Sequence, residues 1–597
     1  MPRAVIALIL SASTLLAGPT RQERIKAVEE GLLPAVLIKG VPTWKLLERM
    51  RELRIPGASV AVIQDYEVDW TKGYGIKDIE TGERVSEATV FQAGSISKPV
   101  AAAVALRKVE EGALSLDIDI NRVLTSWKVP ENEFTQEEKV TLKRLLSHSA
   151  GLTVHGFPGY DVASEVPTVP QLLDGQSPAN TPPVRVDIVP GTRLRYSGGG
   201  TTVMQQALID LSGMAFPELA RTLVLDPAGM VSSTYEQPLP PSAAARAASG
   251  HRSGGNLVEG RWHIYPEMAA AGLWTTSEDL ARFAIEIQKA VRGDSAHILS
   301  PSMARQMLRP VIDNAALGFF LERRGGEIYF EHGGADEGFR AALVASRDRG
   351  YGAVVMVNSD NGQILNEIIR GIATVYGWEG YGQEVLEPLT LTPEELDRFA
   401  GVFLVHEDRL IRIDRQGEAL EVAEYPEKYR LYPITALEFA RPDRRARYVF
   451  GGHTGEHPDT LLIKDREPTM AVRLPASFTP ATPRELVEAG DHDAARAAYR
   501  GIRSANPSSK AVEESRLNAL GYEYLRDRRI PEAIAILQLN LEFYPDSWNV
   551  YDSLGEAYMV AGENETAISY YRRSLEMNPE NENGRIFLKK LEGSRQQ

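Results

Sequence analysis

Gly521 and Gly555 stand 34 residues apart, as do Ala533 and Ala567, and Pro545 and Pro579. A degenerate earlier copy keeps the local spacing: Ala495, Tyr499 and Pro507 match Ala533, Leu537 and Pro545, and again Ala567, Tyr571 and Pro579. A period of this length calls for a helix–turn–helix unit in which small residues let two helices approach and a proline ends the second. One such unit cannot bury its apolar face alone. Residues 484–597 are therefore expected to stack as an all-α array.

The remaining chain is too long for one core, since the whole has 597 residues, so further domains are required. The spacing of apolar residues predicts a strand pair over 59–63 and 66–70, then a helix over 95–111. Short apolar runs at 319–322, 328–332, 339–345 and 353–358 follow much later, joined by glycine-containing turns, and a helix over 364–376 closes the unit. Early strands, central helices and late antiparallel strands predict an α/β (α+β) domain over residues 19–386, its sheet built from both ends of the segment and flanked by helices. The stretch 387–392 reads as a linker. Alternating runs such as 410–413 and 460–463 predict a small β-rich domain over 392–476, and a second linker spans 479–483.

The formal net charge of -15 argues against a nucleic-acid partner, because a polyanion would be repelled. The chain has no cysteine, which excludes thiol catalysis, disulfides and thiolate metal sites. His406-Glu407 begins like a zinc-protease motif, but Leu410 stands where the second ligand belongs, so no metal or cofactor is called for. Met1-Pro2-Arg3 followed by the mostly apolar run Ala4 to Ala17 has the proportions of a signal peptide and is too short to span a bilayer. Residues 1–18 are thus expected to direct export to the periplasm or beyond, with no transmembrane helix left after their removal.

Chemistry concentrates at Ser95-Ile96-Ser97-Lys98. On a helix, residues three apart share a face, so the Ser95 hydroxyl and the Lys98 amine should meet. Pro99 lacks an N–H and is tolerated only in a first turn, which starts the helix close to Ser95 and sets the nucleophile at the positive end of its dipole. An ordinary lysine is almost wholly charged at neutral pH, so base catalysis requires Lys98 to be buried or beside another cation. Chance alone would give about one serine in twenty such a partner. Ser95 is the only serine here with lysine three residues on, and no Gly-x-Ser-x-Gly elbow occurs, which removes the main competing serine-hydrolase architecture.

The surroundings resemble a known family. Phe91-Gln92-Ala93-Gly94-Ser95-Ile96-Ser97-Lys98-Pro99 is similar to the active-site segment of class C β-lactamases, penicillin-binding proteins, related carboxylesterases and D-amino-acid peptidases. So is Leu145-Leu146-Ser147-His148-Ser149-Ala150-Gly151-Leu152, and Tyr196-Ser197-Gly198 resembles the family's Tyr-x-Asn segment. Gly272 to Leu280 and His332-Gly333-Gly334 complete an ordered set across residues 50–375. The resemblance implies that Ser95 attacks a carbonyl, Lys98 activates it and Tyr196 shuttles the proton, with Lys98 and Tyr196 both open as the base. His332 would stand where many relatives carry a lysine, and the oxyanion would be held by the N–H groups of Ser95 and Ala335, with Gly198 and Gly334 also lining the substrate. His148 and His155 read as structural hydrogen-bonders. The C-terminal period resembles the tetratricopeptide repeat, which implies a concave surface for a peptide or protein partner.

Two departures matter. Gly198 replaces an asparagine whose amide contacts the substrate, and His332 replaces a permanent cation. Both weaken the grip on a substrate carboxylate and leave acyl transfer to water intact. The expectation is a serine hydrolase acting on a small-molecule or peptide-like substrate, ester or D-amino-acid-containing, through an acyl-enzyme on Ser95. The rivals are a β-lactamase or D,D-peptidase with the same chemistry, and a catalytically silent scaffold that uses the fold and repeats for binding.

Overall fold

The computed structural model describes residues 18–424, 427–453, 456–475 and 481–593. Met1 to Ala17, the core of the expected signal segment, lies outside the described residues, as does the start of the second linker. Among the described residues no helix is long and apolar enough to cross a membrane.

The earliest strand of the six-stranded sheet, β1 (Gly57–Gln64), is buried at every residue but its last. Its two faces feed two cores, as the period of two along a strand requires. Ala58, Val60 and Val62 face one, Ala61 and Ile63 the other. Asp65 and Tyr66, both at positive φ, make the tight turn into β2 (Glu67–Gly75), the backbone form that suits the twist of a hairpin. From the nucleophile segment runs α1 (Ser97–Glu110), buried without interruption from Ser97 to Leu106. A helix apolar on all sides belongs in an interior, and α1 occupies that place. Later come α2 (Gly198–Ser212) and α3 (Ser277–Arg292).

Four late strands, β3 (Phe320–Arg324), β4 (Glu327–Asp336), β5 (Phe339–Ser346) and β6 (Gly352–Val357), complete an antiparallel sheet in the order β2-β1-β6-β5-β4-β3. The sheet is assembled from both ends of the segment because β6 pairs with β1. On one face lies α4 (Gln363–Tyr376), with Ile364, Ile368, Ile369 and Ile372 packed on Val60 and Val62. On the other lies α3, with Leu280, Phe283, Ala284 and Ile287 in the larger core. The Arg49 guanidinium reaches Glu367 of α4 with two hydrogen bonds, 2.8 and 2.9 Å, both side chains buried.

Eight antiparallel strands between Gly401 and Arg473 close into a barrel, filled by Phe399, Phe403, Phe439 and Phe450. Closure leaves no strand edge open. Beyond it α5 (Glu514–Arg526) pairs with α6 (Ile530–Phe543), and α7 (Trp548–Val560) with α8 (Asn564–Met577). The repeating glycines are the contact points. A Cβ on Gly521 would sit 2.6 Å from Leu537, and one on Gly555 would sit 2.9 Å from Tyr571. The 34-residue period is thus a period of helix approach.

Candidate active site

The turn before Ser95 is held on three sides. Phe91–Gln92 pairs with Trp274–Thr275, the Ala93 amide donates to Leu273 O at 2.9 Å, and the Ser97 hydroxyl donates to Gly94 O at 2.6 Å while accepting the Leu273 amide at 3.0 Å. Gly94 carries φ +52, and a Cβ there would lie 2.4 Å from the Ala335 nitrogen. Gly334 is as tightly pressed, since its Cβ would fall 1.9 Å from Ala93 O. Two glycines therefore let the Ser95 turn lie directly against β4, where any side chain would hold them apart. Ala335 is exposed beside this contact, and Ser95 is the one residue between Phe91 and Val100 that is not buried.

Lys98 is 4% exposed. Its Nζ donates to Ser95 Oγ at 2.9 Å and to Ala270 O at 2.7 Å. Among the described residues no carboxylate is hydrogen-bonded to it. Behind it a void of about 10 Å³, lined by Ala102, Leu145, Leu146, His148 and Met204 among others, is too small for more than a single water. The amine is thus held away from bulk solvent, as its use as a base requires.

Tyr196 presents the face of its ring to Lys98, whose Nζ lies 5.0 Å from the ring centre. Four other rings surround it: His148 stacked at 4.2 Å, His155 at 4.8 Å, and Phe320 and His332 both at 6.2 Å. The Ser197 amide donates to His148 Nδ1 at 3.2 Å and the Arg195 amide to His148 O at 2.8 Å. One histidine thereby clamps the backbone on both sides of Tyr196. With Nδ1 accepting, the proton of the neutral ring belongs on Nε2. Burial first, and then the charge of Lys98, hold His148 well below the usual imidazole range.

His332 sits on β4 at 5% exposure. Its Nδ1 faces Gly333 O at 2.7 Å, an oxygen that can only accept, so the proton lies on Nδ1 and Nε2 keeps a lone pair. Nε2 is buried with no partner. Burial, and next the charge of Lys98, lower its pKa to about 3. At neutral pH its imidazole is therefore neutral.

Gly198 is not where the sequence reading put it. It is buried, its amide donates to His155 O at 3.0 Å, and a Cβ would meet the Phe157 ring at 3.0 Å. With its amide taken and no side chain, it offers a ligand nothing. Its absent side chain instead admits the segment His155 to Phe157. Sequence reasoning also passed over two acids, Glu267 and Asp336, buried beside the site. A charged residue in the apolar run Ile264 to Ala271 was the available signal for the first.

Comparison with known proteins places the segment that carries this site in a family. The family model described as Beta-lactamase matches residues 45–374. The unguisins hydrolase of Aspergillus violaceofuscus is 26% identical over 361 residues, covering 53% of this chain and 60% of that protein. Penicillin-binding protein 4 of Amycolatopsis lactamdurans is 27% identical over 267 residues, 44% of this chain and 67% of its own length. Esterase EstB of Burkholderia gladioli is 34% identical over a shorter 105 residues, 18% of this chain and 26% of the esterase. The chain spans 60% to 67% of the length of the first two. Since the matched segment exceeds half the chain and contains the Ser95, Lys98, Tyr196 and His332 cluster, this protein belongs to the beta-lactamase family.

Proposed function

We propose that the protein is a serine hydrolase that works through a covalent acyl-enzyme on Ser95. The observation that carries this is the 2.9 Å contact between Ser95 Oγ and the buried Lys98 Nζ. In the neutral form Lys98 takes the hydroxyl proton as Oγ bonds to the substrate carbonyl carbon, and Tyr196 relays it toward the leaving group. The leaving group departs with that proton, and water then cleaves the ester on Ser95. The amides of Ser95 and Ala335 would receive the oxyanion, and each such donor is worth about 10²–10³ in rate. Close packing of Gly94 and Gly334 supports that pairing.

Substrates are uncharged esters or peptide-like amides, D-amino-acid derivatives included, rather than penicillins. A neutral His332 offers no fixed cation to a substrate carboxylate, and Gly198 offers no amide. The names of the relatives, a hydrolase, a penicillin-binding protein and an esterase, accord with this chemistry. The segment Met1 to Ala17 supports export to the periplasm or outside the cell, and the C-terminal helical hairpins are read as tetratricopeptide repeats that hold a peptide or protein partner.

A fluorophosphonate should label wild-type protein on the peptide containing Ser95 and leave Ser95→Ala untouched, as read by mass spectrometry. Hydrolysis of a short-chain aryl ester should exceed that of a chromogenic cephalosporin. The reverse preference would assign a β-lactamase or D,D-peptidase, and absence of label in the wild type would make the protein a silent scaffold.

A further inference from the structure

Glu267 and Asp336 are given no part in the hydrolytic mechanism, yet they stand directly behind it. Glu267 precedes the short helix Met268–Ala271, whose Ala270 carbonyl holds Lys98. Asp336 follows Ala335 at the end of β4. They are 0% and 4% exposed. All four carboxyl oxygens are buried, and none has a hydrogen-bond partner among the described residues.

The charged and titratable neighbours are committed elsewhere. Lys98 donates to Ser95 and Ala270. Arg340 of β5 donates to the carbonyls of Asp336 and Phe339 and pairs with Asp360 at 3.0 Å. Arg252 is paired with Glu337 and Asp360. The Tyr265 hydroxyl accepts the Glu337 amide and faces Pro158 O, while the Tyr160 hydroxyl accepts the Asn180 amide. His332, on the same strand as Asp336, is neutral. The Gly94 amide bears on Asp336 without closing a hydrogen bond.

An unpaired carboxylate so enclosed carries a desolvation penalty of several kcal/mol, and the acid escapes it by keeping its proton. We propose that Glu267 and Asp336 are an uncharged pair that leaves Lys98 without a counter-ion, and that loss of their proton, rather than that of any catalytic group, ends activity at alkaline pH. Burial is the leading cause for both, and it pushes each up to about 8. The charge of Asp336 pushes Glu267 up further, while Lys98 and then Arg340 draw Asp336 partly back. Below that range both acids are neutral and Lys98 has no carboxylate beside it. Above it negative charge stands beside the site and under the amides meant for the oxyanion, where it opposes the negative charge that develops there during the reaction.

The inference rests on the hydrolase reading for its effect on rate, and its premise can be tested without it. Infrared difference spectra of wild-type protein between neutral and alkaline pH should show loss of two buried protonated carboxyl bands, one missing in Asp336→Asn and one in Glu267→Gln. In wild type, kcat/KM for an aryl ester should fall about tenfold per pH unit above about 8. Both variants should match wild type near neutrality, and the double variant should keep about thirtyfold more activity at about pH 9.5. An alkaline limb that stays in place in the double variant, or carboxyls already ionised at neutral pH in the infrared, overturns the proposal. If the variants do not fold, the wild-type infrared titration decides alone. Wild-type protein that neither labels nor hydrolyses any ester refutes the hydrolase reading instead, and with it the alkaline limb, while the protonation of the pair is still read from the spectra.

Discussion

At the scale of single residues, the site is built from neutral groups crowded around one amine. Lys98→Ala is expected to lower kcat/KM for an aryl ester by about 10²–10⁴-fold while leaving the fold intact, checked by steady-state kinetics and circular dichroism. His332 offers a test of sign. Its pKa is lowered from 6.5 to about 3, so the unfolded chain binds a proton over that interval and the folded protein does not. Stability from this residue is therefore present above 6.5 and lost as pH falls toward 3. Thermal midpoints of His332→Gln should accordingly fall less than those of wild type over that window. Equal slopes would mean that His332 is not buried neutral. His148 was legible only as a hydrogen-bonder. Nothing in its neighbours along the chain indicates that its ring stacks on Tyr196.

At the scale of elements, contact between the nucleophile turn and β4 decides whether the site exists. Gly334→Ala would place a Cβ 1.9 Å from Ala93 O, against backbone that cannot swing aside. It should destabilise by about 1–3 kcal/mol in denaturant titrations and slow fluorophosphonate labelling. Gly333→Ala is the control, since its nearest atom would be 3.9 Å away, and it should label at the wild-type rate. The other critical joint is the Arg49–Glu367 pair that ties α4 to the helix Leu46–Glu52. Glu367→Ala should cost up to about 3 kcal/mol, because it leaves the buried Arg49 guanidinium with only the more exposed Glu52, at 2.9 Å, as partner. The run of elements was readable from the sequence, since each strand and helix carries its own apolar period. Which of them would touch was not.

At the scale of the whole molecule, the barrel and the helical hairpins have apolar cores of their own, and one small cluster, Val36 and Ile38 with Ala440, joins the first domain to the barrel. The contacts between units include ion pairs such as Arg412–Glu485 and Arg528–Glu259. The second is largely exposed, and pairs of that kind are worth about 0–1 kcal/mol each. Calorimetric unfolding should then show more than one transition, with a calorimetric enthalpy above the van 't Hoff value. A single two-state transition would show that the units are energetically one body.

The amino-acid order by itself determined what is local. A serine and a lysine one turn apart must share a helix face, a proline must begin that helix, and glycines repeating every 34 residues must mark where helices meet. Tertiary structure alone decided the rest. Whether Lys98 is dry, whether Gly198 can reach a ligand, and whether Glu267 and Asp336 are buried all depend on segments far apart in the chain. The reason is that burial belongs to everything packed around a group, and a carboxyl's charge follows from its burial.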